Sequence, residues 1–232
     1  MKVLIGCEYS GIVRDAFSGK GWDAWSCDLL PTESELTKSE GKHYQCDIFD
    51  VLYQDWDLLI AFPPCTYLTY AGTCEWTFEG RVMNRIESAK FFMQLYEAPV
   101  KHICIENPQG VMTNIFRKPD MTIHPYYFGE RQMKRTCLWL KNLPVLKYQL
   151  EDDLFSKRTS TDKPEPLLIQ IHKKTGRERK RYISDYKANY DYKSNSERQH
   201  LRSKFWNGIA NAMAEQWTEY LKYQHNYENR TN

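Results

Sequence analysis

The chain has 232 residues, 41% hydrophobic and 27% charged, with a formal net charge of +2. That length supports one well-buried α/β core with a small appended lobe, and the composition is that of an ordinary soluble protein. No apolar stretch approaches the roughly 18 residues that would raise a membrane span, so no membrane association is expected.

The opening run Lys2–Gly6 is too short for a signal peptide and reads as a first strand. A helix is predicted over Gly11–Ser18, where Ile12, Val13, Ala16 and Phe17 fall at helical spacing. Strands follow at Trp22–Cys27 and Tyr44–Cys46, and a helix-like stretch around Phe49–Tyr53 leads into a strand at Asp57–Phe62. A loop over Pro63–Gly80 precedes a helix at Arg81–Glu97, whose apolar face is read as Val82, Ile86, Ala89, Phe92 and Leu95. Next come a strand at His102–Ile105, an irregular stretch to Pro119, and strands near Met121–Phe128 and Thr136–Lys141. The alternation of short apolar runs with amphipathic segments predicts a Rossmann-like, mostly parallel twisted sheet with helices on both faces.

Beyond Pro144 the character changes. Residues 145–204 are polar, with few periodic apolar faces, and read as long surface loops or a small lobe. A closing helix, Phe205–Tyr223, carries Ile209, Ala212, Met213, Gln216, Trp217 and Tyr220 on one stripe. Three parts are therefore expected: an α/β body at 1–144, a small irregular region at 145–204, and a helix at 205–232 that returns to the body.

The seven cysteines form an odd set without any Cys-x-x-Cys pair. No metal site and no disulfide framework are indicated, and a reducing cytoplasm is the simpler home. Cys7, Cys27, Cys46 and Cys65 fall 20, 19 and 19 residues apart, about the length of a compact βα unit. As small residues filling strand ends, the first three need no shared function.

In an open parallel sheet, ligands bind beyond the carboxyl ends of the strands. The loops there carry Glu8-Tyr9-Ser10-Gly11, Cys27-Asp28, Cys46-Asp47-Ile48, Pro63-Pro64-Cys65 and Glu106-Asn107-Pro108. Asp28 suits a ribose diol, which needs an acceptor for two hydroxyls. Asp47 suits an adenine amino group, with Ile48 packing the ring. Acids at strand ends also commonly cap the next helix. Cys65 and Glu106 are the two groups needed to add a nucleophile to a pyrimidine ring. Residues 173–181 hold six basic side chains against one acid (Lys173, Lys174, Arg177, Arg179, Lys180 and Arg181), a concentration suited to phosphates or to a solvated loop. Beside it Tyr182, Tyr186 and Tyr190 recur every four residues.

The ordered set resembles the DNA cytosine-5 methyltransferases, and more narrowly their compact phage-type members. Pro63-Pro64-Cys65 is similar to their catalytic Pro-Cys motif. Ile105-Glu106-Asn107-Pro108 is similar to their Glu-Asn-Val motif, with proline for valine. Glu8–Phe17 stands at the glycine-rich first motif but keeps only Gly11 of its glycines. Gln132-Met133-Lys134-Arg135-Thr136 stands at the Gln-x-Arg-x-Arg motif, and Gly208-Ile209-Ala210-Asn211-Ala212 resembles the last motif. Phe128-Gly129 and Lys134–Leu140 resemble a block of the phage-type members, and the likeness covers residues 1–142 and about 203–220.

The resemblance implies an S-adenosyl-L-methionine enzyme that forms 5-methylcytosine in double-stranded DNA. It makes Cys65 the nucleophile at C6 of a flipped cytosine, Glu106 the partner of the ring edge, and either Lys134 or Arg135 the basic residue facing the base. It places the cofactor on Glu8, Tyr9, Ser10, Gly11, Asp28, Asp47, Ile48, Pro63 and Asn211, and target recognition within 145–204. The aromatic loop Thr66–Gly80, with Tyr67, Tyr70, Trp76 and Phe78, is read as closing over the flipped base or as a plain surface loop. A monomer in a bacterial or phage-infected cell is expected. Two alternatives stay open: an RNA or nucleotide pyrimidine C5-methyltransferase, and a catalytically silent nucleic-acid-binding protein of the same fold. An amino-methyltransferase is disfavoured, because Phe62 precedes Pro63-Pro64 and Cys65 follows it, where that chemistry needs a polar residue and an aromatic.

Overall fold

Short runs rich in valine, leucine and isoleucine form the strands of one sheet, and the amphipathic runs between them form its cover. A computed structural model describes residues 1–70, 79–154, 156–166, 168–171, 175–182 and 204–231. The elements are β1 (Lys2–Gly6), α1 (Ile12–Ser18), β2 (Asp23–Asp28), α2 (Glu35–Glu40), β3 (His43–Gln45), β4 (Leu58–Ala61), α3 (Arg81–Tyr96), β5 (His102–Pro108), α4 (Met112–Ile115), β6 (Met121–Ile123), β7 (Thr136–Lys141), β8 (Leu168–Ile171), β9 (Glu178–Arg181) and α5 (Asn207–Thr231).

The main sheet has seven strands in the order β3-β2-β1-β4-β5-β7-β6. Strands β3, β2, β1, β4 and β5 pair in parallel, whereas β7 runs antiparallel to both β5 and β6. The chain winds outward from β1 to β3 and then crosses back to β4, so the switch point of this Rossmann-like sheet lies at β1 and β4. Strand periodicity divides the core into two layers. Val3, Ile5, Leu58, Ile60 and Leu138 face α1 and α5, against Val13, Phe17, Ile209, Met213 and Trp217. Leu4, Leu59, Ile103, Ile105 and Trp139 face α3, against Phe92 and Leu95.

Helix α5 is fixed by polar contacts as well as by burial. Trp22 Nε1 donates to Thr218 Oγ1 at 2.7 Å, and Trp217 Nε1 donates to the Pro144 carbonyl at 3.0 Å. Arg14 of α1 is fully buried, which its charge tolerates because Nε donates to the Ala24 carbonyl and the guanidinium pairs with Asp15 and Glu40.

The predicted fold class holds, with local differences. Helix α2 went unread, although Ser34 accepts from Thr37 N–H at its start and Gly41 closes it in a left-handed conformation. The strand expected through Phe128 stops at Ile123, where His124 and Pro125 turn the chain into a 3₁₀ turn over Pro125–Phe128. Val82 and Ile86 are 60% and 41% exposed, because the first turns of α3 lie beside the loop after β4, where Arg85 Nε bonds the Tyr67 carbonyl, and not over the sheet. Within the region read as irregular, β8 and β9 form a two-stranded antiparallel hairpin. Among the described residues no helix is long and apolar enough to cross a membrane, and no group of three or more side chains is arranged to hold a metal ion.

Trp217 is wholly buried between α5 and the sheet. Trp217→Ala should lower unfolding free energy by about 3–5 kcal/mol, the usual cost of emptying a large core site, measured by urea denaturation.

Candidate active site

Because β1 to β5 run parallel, their carboxyl ends share one rim, and β7, running the other way, begins at that same rim. Register makes the neighbours explicit: Ala61 pairs with Ile105, and Pro108 pairs with Thr136. The loop carrying Cys65 therefore leaves β4 beside the end of β5, and Lys134-Arg135 enters β7 just beyond Pro108.

The Cys65 loop is held by its neighbour. Asn107, buried, donates Nδ2 to the Pro63 carbonyl at 3.0 Å. The Cys65 carbonyl accepts from Leu68 and Thr69 N–H, closing a turn. That turn lies on Gly110: Val111 N–H donates to the Leu68 carbonyl at 2.8 Å, and a Cβ on Gly110 would sit 1.9 Å from that oxygen. Only glycine allows so close an approach. Cys65 itself is exposed. Tyr70 accepts from Asn114 Nδ2 at 2.9 Å, while Trp76 and Phe78 lie outside the described residues.

Glu106 is the opposite case, a carboxyl only 8% exposed and with Oε1 lacking any hydrogen-bond partner. Asn107 Oδ1 and Thr136 Oγ1, also buried at this rim, lack partners too. Buried polar atoms are nearly always paired, so three unpaired atoms close together set this part of the rim apart from the core. Burial raises the Glu106 carboxyl above its ordinary range, and the charge of Lys134 opposes that rise. The two adjacent cations are thereby told apart. Lys134 is half-buried and acts on Glu106, whereas Arg135 is exposed and donates to Gln109 Oε1.

At the β1–β3 side, Cys7 turns the chain with a left-handed backbone, φ 57°. Its thiol is pushed up to about 12 by burial and then by the charges of Asp28 and Asp47, which places both acids near the end of β1. Cys27 Sγ lies 4.0 Å from Cys46 Sγ. Asp28 is half-buried, accepts from Leu30 N–H at 2.9 Å, and is raised by burial. Asp47 is exposed and caps the next turn through Phe49 N–H, whereas Ile48 is 4% exposed, filling the space that a Cβ on Gly6 would need. Glu8, also buried, is a capping group: Oε1 accepts from Val13 N–H at 2.8 Å and from Ser10 Oγ, and Oε2 accepts from Arg14 N–H. Burial still outweighs those bonds and raises its carboxyl to about 7. Tyr9 is buried beside it. An open cleft of about 470 Å³ next to this turn is lined by Ser10, Ile12, Asp15, Ser34, Asn207 and Asn211 among others. It brings the predicted Ser10 and Asn211 together.

The basic run lies apart from the rim in the chain. Arg177 and Lys180 are exposed, Lys180 on β9; Arg179 and Arg181 share that strand. Lys173, Lys174, Tyr186 and Tyr190 lie outside the described residues. Sequence reasoning names Asn107 and Thr136 only within motifs, with no contact of their own, and does not single out Gln109 or Gly110. Gly110 stands in the irregular stretch after β5, and that adjacency is its only signal.

Fold and rim together define a Rossmann-like α/β chain with a cysteine and a glutamate at neighbouring strand ends. No family model matches the chain, and no curated protein matches it in sequence. Among solved structures it is similar to an Escherichia coli prophage-encoded protein assigned as a DNA modification methyltransferase, with 14% identity, a TM-score of 0.42, and coverage of 71% of this chain and 52% of that one. It is similar at the same identity and TM-score to the Entamoeba histolytica methyltransferase EhMeth, covering 69% of this chain and 57% of that one. The chain thus spans only about half the length of each, and at this likeness what they act on is a property of those proteins alone.

Gly110→Ala should loosen the Cys65 loop and cost about 1–3 kcal/mol, as overpacking does, read from the urea midpoint. A carboxyl raised to about 7 from an ordinary 4.5 keeps its proton in the folded state after the unfolded chain has lost it. Stability therefore falls as pH rises from 4.5 to 7 and levels off above. Glu8→Gln should remove up to about 3 kcal/mol of that decline, measured as the difference between wild-type and variant unfolding at pH 5 and pH 8.

Proposed function

We propose that this chain is an S-adenosyl-L-methionine-dependent methyltransferase that forms 5-methylcytosine in double-stranded DNA through a covalent bond from Cys65 to C6 of a flipped cytosine. The observation that carries the reading is the pairing at adjacent strand ends of an exposed cysteine on a clasped Pro-Pro loop with a buried glutamate whose Oε1 has no partner.

Cytosine C5 is a poor nucleophile. Adding a thiolate at C6 turns C4–C5 into an enamine that takes up a methyl group. An ordinary cysteine titrates near 8.5, so the reactive fraction at neutral pH is small and a nearby cation increases it. Glu106, held toward its protonated form by burial, donates to ring N3 with its O–H and accepts from the exocyclic amine with its other oxygen. Lys134 is the cation placed to meet negative charge as it enters the ring. A base then takes the C5 proton, and the freed electron pair re-forms the C5–C6 double bond and expels the Cys65 thiolate. In a duplex the target edge is stacked, so the base must leave the helix at a cost of a few kcal/mol.

The cofactor, when bound, supplies an electrophilic methyl group. The β1–β2 rim suits it: Asp28 is half-buried, keeps acceptor capacity beyond Leu30 N–H for ribose hydroxyls, and has Asp47 close by. Gly11 stands at the start of α1 and Pro63 two residues past the end of β4, Tyr9 and Ser10 follow the Glu8 cap, and Asn211 lines the adjoining cleft. Glu8 and Ile48 act from beneath it, Glu8 by fixing the start of α1 and Ile48 by packing on Gly6. DNA phosphates are assigned to the hairpin cations Arg177, Arg179, Lys180 and Arg181 together with Lys173 and Lys174, so binding weakens with salt.

The deciding experiment is tritiated methyl transfer to duplex DNA followed by nucleoside analysis; label in 5-methylcytosine is expected, and label in N6-methyladenine or N4-methylcytosine would overturn the reading. Cys65→Ala should abolish transfer while DNA and cofactor binding persist, and duplex carrying 5-fluorocytosine should trap the wild-type protein covalently. Asp28→Ala should weaken cofactor binding by about 1–3 kcal/mol, measured by calorimetry.

A further inference from the structure

The loop before β7 and the start of α5 are interleaved although they lie far apart in sequence. Trp206, 4% exposed, donates Nε1 to Gln132 Oε1 at 2.9 Å. Two residues on, Gly208 N–H donates to Glu130 Oε1 at 2.7 Å, and a Cβ on Gly208 would meet the Phe128 carbonyl at 2.0 Å. Phe205 packs on Phe62, at the foot of the Cys65 loop, with ring centroids 4.7 Å apart. The indole is thus locked in place from both sides. Over its face lies the Lys134 ammonium, Nζ 4.4 Å from the ring centroid.

An ammonium on a four-carbon stem ordinarily swings out to water. A ring face at that distance attracts it electrostatically, and more strongly when the pair is partly desolvated. Strand alternation puts Glu106 on the layer that faces α5, the same layer as Cys104 and Leu138. The indole and Glu106 therefore lie on the same side of the sheet, and Lys134 is the cation whose charge reaches Glu106.

We propose that Trp206 is a positioning residue, whose ring face holds the Lys134 ammonium on the Glu106 side of the rim and so fixes the charge that this carboxyl feels. This rests on the reading of Glu106 as the group that meets the target base, and it adds to that reading a residue acting through Lys134. The titratable groups that share charge effects with Glu106 are Lys134 from the loop, Cys104 on β5 and Cys137 on β7; the segment leading into α5 contributes the uncharged indole. With the ring gone, Lys134 is released to solvent, the opposing positive charge is lost, and the Glu106 carboxyl rises further.

The test is the titration of Glu106 followed by carbon NMR in glutamate-labelled protein, its signal assigned with Glu106→Gln. Trp206→Leu should move the midpoint upward, Trp206→Phe should return most of the shift, and Trp206→Leu combined with Lys134→Gln should shift it no further than Lys134→Gln alone. Site-specific fluorotryptophans at position 206, which drain the ring face without changing its shape, should raise the midpoint progressively and serve should Trp206→Leu not fold. A midpoint unmoved across the fluorotryptophan series, or equal shifts with leucine and phenylalanine, would overturn the proposal. The titration needs no turnover: an inactive wild-type protein would defeat the methyltransferase reading while the NMR series still decides the role of Trp206. In an active enzyme, the same variants should lower kcat for methyl transfer with little change in KM for DNA.

Discussion

Antiparallel pairing of β7 with β5 is the constraint on which the rim depends. Six residue pairs, from Ile103–Lys141 to Pro108–Thr136, set this register. It brings the start of a strand to an edge where the other central strands end. Had β7 run parallel, residues 134 and 135 would lie at the far edge of the sheet, away from Glu106. A one-residue slip would turn Thr136 and Leu138 to the α3 layer and put Cys137 beside Glu106. The ladder therefore decides which side chains can meet.

The cost of the arrangement is concentrated in a few atoms. Glu106 is buried with one oxygen unpaired, and Asn107 and Thr136 add two more unpaired atoms nearby. Each such group costs on the order of 1–3 kcal/mol, against the dense apolar layers above and below the sheet. By contrast Glu8 and Arg14, equally buried, are partnered: Glu8 by Ser10 and the first turn of α1, Arg14 by Asp15, the Ala24 carbonyl and Glu40. Glu8 and Arg14 thus help build the scaffold, while Glu106 keeps one buried oxygen unpaired.

Much of this was legible because the central strands are uninterrupted apolar runs ended by glycine, proline or an acid, and the rule that ligands gather at carboxyl ends then picks out Cys65 and Glu106. Local patterns fared worse where tertiary context decides. The apolar stripe of α3 continues through Val82 and Ile86, and nothing local says that the sheet beneath it has ended. The Ser34 cap and Gly41 closure of α2 were readable, but its weak apolar face hid it. Trp206 falls inside the closing helix predicted over Phe205–Tyr223 and off its named stripe; its bond to Gln132 spans 74 residues, and no local pattern reports a contact of that range. Nothing local separates Lys134 from Arg135; in the fold Arg135 bonds Gln109, while Lys134 lies over the Trp206 ring.

Helix α5 has a consequence for how the protein is made. It covers the layer formed by Val3, Ile5, Leu58 and Ile60, and its Thr218 bonds Trp22, 196 residues earlier. Synthesis proceeds from the amino end at roughly 5–20 residues per second. For roughly 7–30 seconds between translation of β4 and of residues 207–221, at that pace, the side of the sheet that α5 shares with α1 is only partly covered. The nascent chain is then a candidate for chaperone capture. The indole beside Lys134 arrives in the same stretch, so the rim is completed only after every strand of the main sheet has been made.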